Sequence, residues 1–320
     1  MEKEELELLA VEDALGVLIS RLSVVHKDRK YLETEHRQIT AGIHGELRMQ
    51  KRFGEFRSDE EFHVMWDVGL TLGMWKAQMD GLLLTQRCAI IIESKNISGK
   101  LHFDEATGEF YRYDDDGVKT VMEDPRVQLN KNIRFLSEWF QLKKIQLPVT
   151  GLIVFSAKKC EFIVRPKSKH LCKVYQMPEY LLQIMKAFPL EAEPPKLTKI
   201  KKQIVGAHTP YLRIPLSDKY RIELSDIRTG IQCQACRSYG MERIKKSWQC
   251  SACSHRDRQA HHFALREYFS LIGEYITNQA FREWCGISSS SVAKRLLAQF
   301  DLETSGESKA WKYSLKKKEK

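Results

Sequence analysis

The stretch Cys88-Ala89-Ile90-Ile91-Ile92-Glu93-Ser94-Lys95-Asn96 decides how this chain is read. Ala89 to Ile92 is continuously apolar, the pattern of a central β-strand covered on both faces. The run ends in Glu93-Ser94-Lys95. Residues two apart on a strand project to the same side, so Glu93 and Lys95 are expected together at the rim of a buried sheet. Upstream, Gln78-Met79-Asp80-Gly81 carries Asp80, which reads as an interruption of the preceding strand after a turn. Carboxylates and a lysine that converge on a buried edge are costly unless they bind something, and paired carboxylates suit Mg2+ or Mn2+. A plain surface Glu-Lys pair beside a turn Asp is the alternative.

Outward from this stretch, the periodicity predicts a helix from Ile43 to Phe53 and strands around Phe62 to Val68, Ala77 to Leu84 and Cys88 to Glu93. A helix from Val127 to Phe140 and a strand from Thr150 to Phe155 follow. The order is α-β-β-β-α-β, an α/β fold class with a mixed sheet. The first 35 residues read as helix, with Leu6, Leu9, Leu15, Leu18, Ile19 and Leu22 as an apolar stripe and no evident chemistry.

The ordered set Gly45-Glu46, Gln78-Met79-Asp80, Glu93-Ser94-Lys95-Asn96 and Gln128 resembles the nuclease-related domain (NERD), a branch of the PD-(D/E)xK, or restriction-endonuclease-like, superfamily. The resemblance covers roughly residues 40 to 165. It departs from the family pattern in having Met79 where a proline usually precedes the first Asp. The resemblance implies a restriction-endonuclease-like core and divalent-metal-dependent cleavage of phosphodiester bonds. By position, Asp80 and Glu93 would ligate Mg2+ or Mn2+, and Lys95 would orient or help deprotonate the attacking water. Glu46 would complete or tune the metal site, and Gln128 would lie near it.

Composition agrees with a folded, soluble protein. The 320 residues are 42% hydrophobic and 29% charged, enough apolar residue for a sizeable core, which excludes a disordered or fibrous chain. No apolar run approaches the roughly 18 residues of a membrane span, and Met1-Glu2-Lys3-Glu4-Glu5 lacks the start of a signal peptide, so a cytoplasmic location is expected. The net charge of +10 is uneven: residues 196–320 hold 24 Lys and Arg against 12 Asp and Glu, whereas residues 1–195 hold 28 against 30. The change coincides with Pro189 to Pro195, which reads as a linker. Clustered basic charge points to nucleic acid, with DNA as the expected partner, ahead of a membrane surface.

Four of the eight cysteines form Cys233-x-x-Cys236 and Cys250-x-x-Cys253, separated by 13 residues, while Cys88, Cys160, Cys172 and Cys285 are isolated. Two such pairs clamp opposite edges of a tetrahedral ion, the pattern of a structural zinc ribbon holding Zn2+. Its hairpin carries Arg243, Lys245, Lys246 and Trp248, a basic and aromatic surface suited to nucleic acid, or simply a solvated face.

Beyond the ribbon, apolar residues from Phe263 to Ile276 recur at helical spacing. Thr277 can cap a short helix through Trp284, and Gly286 breaks it. A second cap within Ser288 to Ser291 starts a helix to Phe300, and Trp311, Tyr313 and Leu315 alternate as in a strand. The pattern resembles a winged helix. In that resemblance Ser289, Ser290, Lys294 and Arg295 would contact bases or phosphates. A small bundle used for packing or dimerisation is the alternative. The tail Lys316 to Lys320 is expected to be disordered and to add non-specific phosphate attraction.

The expected organisation is an N-terminal helical segment (1–38), a NERD-like domain (39–188), an unassigned basic segment (189–230), a four-cysteine zinc ribbon (231–257) and a winged-helix-like module (258–316). Within the unassigned segment, Tyr220 to Leu224 reads as strand-like. The expected function is metal-dependent hydrolysis of DNA; a non-catalytic DNA-binding regulator is the alternative from another class.

Overall fold

The computed structural model describes residues 4–164, 170–209, 213–307 and 311–316. It divides into two compact units, Thr40–Tyr211 and Met1–Ile39 together with Leu212–Lys320. The chain begins with α1 (Val11–Arg21) and α2 (Arg29–Phe53), and the division between units falls inside α2. The helix expected throughout the first 35 residues is therefore confined to α1 and the start of α2. Leu6 and Leu9 are buried ahead of it.

The unit Thr40–Tyr211 continues with β1 (Phe62–Leu72), β2 (Trp75–Thr85), β3 (Ala89–Lys95), β4 (Gly99–Phe103), β5 (Phe110–Tyr113) and β6 (Lys119–Met122). It is completed by α3 (Pro125–Leu142), β7 (Val149–Phe155), β8 (Cys160–Val164), β9 (Leu171–Lys173), α4 (Met177–Lys186) and α5 (Leu197–Ala207). Its main sheet has the order β1-β2-β3-β7-β9, antiparallel as far as β3 and parallel beyond it. β3 is central, as its apolar run requires. Ile90 and Ile92 pack into a core with Met49 and Phe53 of α2 and Leu181 of α4, while Ala89 and Ile91 face Leu129 and Phe135 of α3.

Two features depart from the sequence reading. Asp80 does not interrupt its strand: β2 is continuous, and the ladder resumes on either side at Met79 and Gly81. In that register Asp80 stands opposite Asp67, whose φ of 52° is the actual local distortion. In addition, β4 to β6 form a meander between β3 and α3, joined by β8 into a second sheet of order β6-β5-β4-β8. Asp124, accepting from the Arg126 N–H at 2.8 Å, then caps α3 with Pro125 in its first turn.

The second unit adds α6 (Leu216–Tyr220), β10 (Glu242–Ile244), β11 (Ser247–Gln249), β12 (Arg256–Asp257), α7 (Ala260–Leu271), β13 (Tyr275–Thr277), α8 (Asn278–Cys285), α9 (Ser290–Leu297), β14 (Leu302–Ser305) and β15 (Lys312–Leu315). The strand read at Tyr220 to Leu224 does not form. α6 ends there, with Arg221 in the left-handed region at φ 54°. Ile276 lies in a strand rather than at the end of a helix. The remaining caps form as the sequence requires: the Thr277 hydroxyl accepts from the Ala280 N–H at 3.1 Å, and Gly286 reverses the chain at φ 70°. Three strands pair as β10-β11-β12 and three as β13-β15-β14. Lys317, Lys318 and Lys320 of the basic tail lie outside the described residues.

α1 is bound into this unit by its apolar face and by a buried ion pair. Arg21 forms an ion pair with Glu267 of α7, and both side chains are wholly excluded from solvent. The guanidinium also donates to the Arg228 and Gly230 carbonyls at 2.5 and 3.2 Å and lies over the Trp284 ring at 4.0 Å. Removing one partner leaves a buried charge without its counter-ion, so Arg21→Ala should lower the unfolding free energy by about 3–5 kcal/mol. Urea denaturation followed by tryptophan fluorescence measures this.

Candidate functional site

Glu93 ends the apolar run of β3 fully buried. Its Oε1 accepts from Asn132 Nδ2 at 2.7 Å and its Oε2 from Gln128 Nε2 at 3.0 Å. Gln128 Oε1 accepts from Lys95 Nζ at 2.6 Å. The glutamine amide therefore points its nitrogen at the carboxylate and its oxygen at the ammonium, the orientation that satisfies both. Asn132 Nδ2 also donates to the Gln78 carbonyl at 3.1 Å, tying α3 to β2.

Asp80 accepts from the Ser94 N–H at 2.7 Å, which couples it to β3. Glu46 reaches the same region from α2 because Gly45 permits a close approach: a Cβ there would lie 2.6 Å from Ser156 Oγ and 2.8 Å from the Asn96 Cβ. Arg48 fastens the helix, donating to the Ser156 carbonyl at 2.9 Å and to Asn96 Oδ1 at 2.6 Å. Asp80, Glu93, Lys95 and Gln128 thus share one hydrogen-bonded neighbourhood, and Glu46 joins it through its field.

That field is substantial. Burial first, then the charges of Asp80 and Asp67, push Glu46 up to about 7. Burial and Asp80 raise Glu93 to about 7, against the opposing Asn132 hydrogen bond and Lys95. Asp80 is also raised by burial, opposed by the Ser94 N–H and Lys95. Oxygen-only donors made costly by desolvation and mutual repulsion fit a hard divalent cation, which would offset both effects. The carboxylates are not drawn into a closed cage: among the described residues, the only set of three or more His, Cys, Asp or Glu ligand atoms all within 4.8 Å of one another is made of cysteines.

Residues 41–156 match the family model of the nuclease-related domain. The match spans Glu46, Asp80, Glu93, Lys95 and Gln128, and a nuclease-related domain implies nuclease-related function and nucleic-acid binding. No curated protein and no solved structure matches the chain significantly. Among the described residues, no helix is long and apolar enough to cross a membrane.

Within the segment that matches the nuclease-related domain, sequence reasoning missed Asn132, Asp67 and Arg48. Asn132 had a signal, since it lies one helical turn beyond Gln128 and so shares its face. Asp67 had none, because only strand pairing sets it against Asp80.

Outside that domain, Cys233, Cys236, Cys250 and Cys253 bring their sulfurs within 4.8 Å of one another, with Cys233 to Cys253 at 3.7 Å and Cys236 to Cys250 at 3.5 Å. Four sulfurs about 2.3 Å from a tetrahedral ion stand about 3.8 Å apart, so the set can hold a metal such as zinc. The two knuckles repeat one backbone pattern. Arg237 and Ser254 take φ of 64° and 60°, and their N–H groups donate to the Cys233 and Cys250 carbonyls.

Trp248 does not join the surface expected for the hairpin. It is wholly buried, with Nε1 donating to His261 Nδ1 at 3.3 Å. Lys245 and Lys246 are exposed at the β10–β11 turn, and Arg243 stacks over the Trp248 ring at 5.1 Å. On α9, Lys294 and Arg295 are exposed. Ser289 caps that helix, as expected, through the Val292 N–H at 3.4 Å, and the Ser290 hydroxyl donates to Asn278 Oδ1 at 3.1 Å.

Two measurements test these centres. Glu46 and Glu93 hold protons in the fold that the unfolded chain releases between about 4.5 and 7, so metal-free stability should fall as pH rises through that window. In buffer without Mg2+ or Mn2+, with zinc retained, the melting temperature should be lower at about pH 8 than at about pH 5.5, and Glu93→Gln should shrink the difference. Elemental analysis should find one zinc per chain, lost in Cys233→Ser with Cys250→Ser, together with the thermal stability that it supplies.

Proposed function

We propose that the chain is a divalent-metal-dependent nuclease that hydrolyses DNA phosphodiester bonds. The observation that carries this reading is the linked set Asp80–Ser94 N–H, Glu93–Gln128–Lys95 and Glu46, inside a segment that matches the nuclease-related domain. Asp80 and Glu93 would hold Mg2+ or Mn2+, with Glu46 tuning their charge. Such an ion supplies Lewis-acid polarisation of the phosphate and a more acidic bound water.

The chain's own groups orient the attack. Lys95, held by Gln128 Oε1, places a positive charge where negative charge grows on the phosphoryl oxygens. Gln128 and Asn132 together hold the two oxygens of the Glu93 carboxylate from α3.

The second unit is read as the part that holds DNA. Its four cysteines fit a zinc ribbon, with Lys245 and Lys246 at the hairpin tip. The succession α7-β13-α8-α9-β14-β15, with β13 paired to the last strand, favours a winged helix in which α9 presents Lys294 and Arg295 to the nucleic acid. These side chains supply charge and salt dependence.

Plasmid and linear DNA incubated with Mg2+, Mn2+ or EDTA test the proposal. Cleavage should require the metal and should fall by about 10³-fold in Asp80→Ala and in Glu93→Ala, and by about 10²-fold or more in Lys95→Ala. Salt-sensitive binding without metal-dependent cleavage would instead identify a non-catalytic DNA-binding protein.

A further inference from the structure

A cleft of about 530 Å³ opens between the β10–β11 hairpin and α9, within the second unit. Four cations line it: Arg243 and Lys246 from the hairpin, Arg258 after β12, and Arg295 on α9. None of the four has an ion-pair partner among the described residues, and Arg243 Nη1 is buried without an acceptor. The one acid on the lining, Glu4, is already paired with His262 at 2.8 Å. His261 adds no charge: burial and His262 depress it to about 4, and both ring nitrogens are taken by Trp248 and Gln299.

Cations gathered in a concavity repel one another, and burial first, then Arg295, raise the cost of the charge on Arg243. A solvated basic face would spread such groups apart. The size of the cleft lies in the range of small-molecule sites and admits a nucleotide-sized group. A backbone phosphodiester carries one charge on a continuous convex strand and meets the rim of a cleft. A terminal phosphate monoester carries about −1.5 to −2 and three free acceptor oxygens, so it can enter and engage several donors together.

We propose that this cleft binds the terminal phosphate of a nucleic-acid strand, so that the second unit recognises phosphorylated ends and not only backbone. The proposal rests on the nucleic-acid partner assigned above. It does not depend on cleavage.

Fluorescence anisotropy with the zinc-loaded full chain, in buffer without Mg2+ or Mn2+ and without chelator, separates the two. The probes are one oligonucleotide with a 5′-phosphate, a 3′-phosphate or hydroxyls at both ends, with nucleoside monophosphate as competitor. One phosphorylated end should bind about ten-fold tighter than the hydroxyl form, the size expected of one or two added charge-assisted hydrogen bonds. Arg258→Gln and Arg295→Gln, both at exposed positions, should abolish that preference, whereas the exposed Lys30→Gln should leave it. Equal affinity for all ends overturns the proposal. So does a preference that survives both substitutions, or competition by the monophosphate as strong as by the phosphorylated oligonucleotide. Failure of the nuclease reading shows separately, as absence of cleavage with metal.

Discussion

A fully buried carboxylate at the end of the central strand is the constraint around which the first unit is arranged. Glu93 has left water, and its lost hydration is replaced by two amide donors on a single helix. For both amides to reach it, α3 must lie across β3 and β7 with Gln128 and Asn132 on one face. The same placement brings Lys95 within reach of Gln128, and it ties β2 to α3 through the Gln78 carbonyl. Asp80 then faces β3 at the level of Ser94. The arrangement leaves negative charge only partly balanced by Lys95, a condition that a bound cation would relieve.

The second unit is arranged around a different buried charge. Arg21 is held by Glu267, two backbone carbonyls and two aromatic rings, so α1 belongs to the same core as the helices that follow the cysteine pairs. A segment without evident chemistry thereby becomes part of the frame that presents the basic surfaces. The cysteine set adds a local clamp in the same unit, where Trp248 fills the core instead of offering a stacking face.

The charge asymmetry takes on physical meaning against this frame. The near-neutral first part contains carboxylates whose ionisation is opposed by burial and by one another. Part of the positive charge of the second unit is carried by exposed Lys245, Lys246, Arg258, Lys294 and Arg295, of which Lys246, Arg258 and Arg295 line the cleft.

Periodicity and local chemistry, which act over a few residues, were enough to read the central strand, the helix carrying Gln128, the two cysteine pairs and the caps at Thr277 and Gly286 from the sequence. The four-strand insertion β4-β5-β6-β8 was not legible, because its short strands carry little periodic signal and pair across long separations. Nor was the place of Asp67 opposite Asp80, which depends on strand register, or the burial of Trp248, which depends on what packs against the hairpin. Arg21 meets Glu267 across 246 residues of sequence, a pairing that no local pattern announces. The sequence by itself determined which carboxylates, amides, cations and cysteines are present. Tertiary structure alone decided which of them meet, since desolvation and charge coupling are properties of contacts between distant segments.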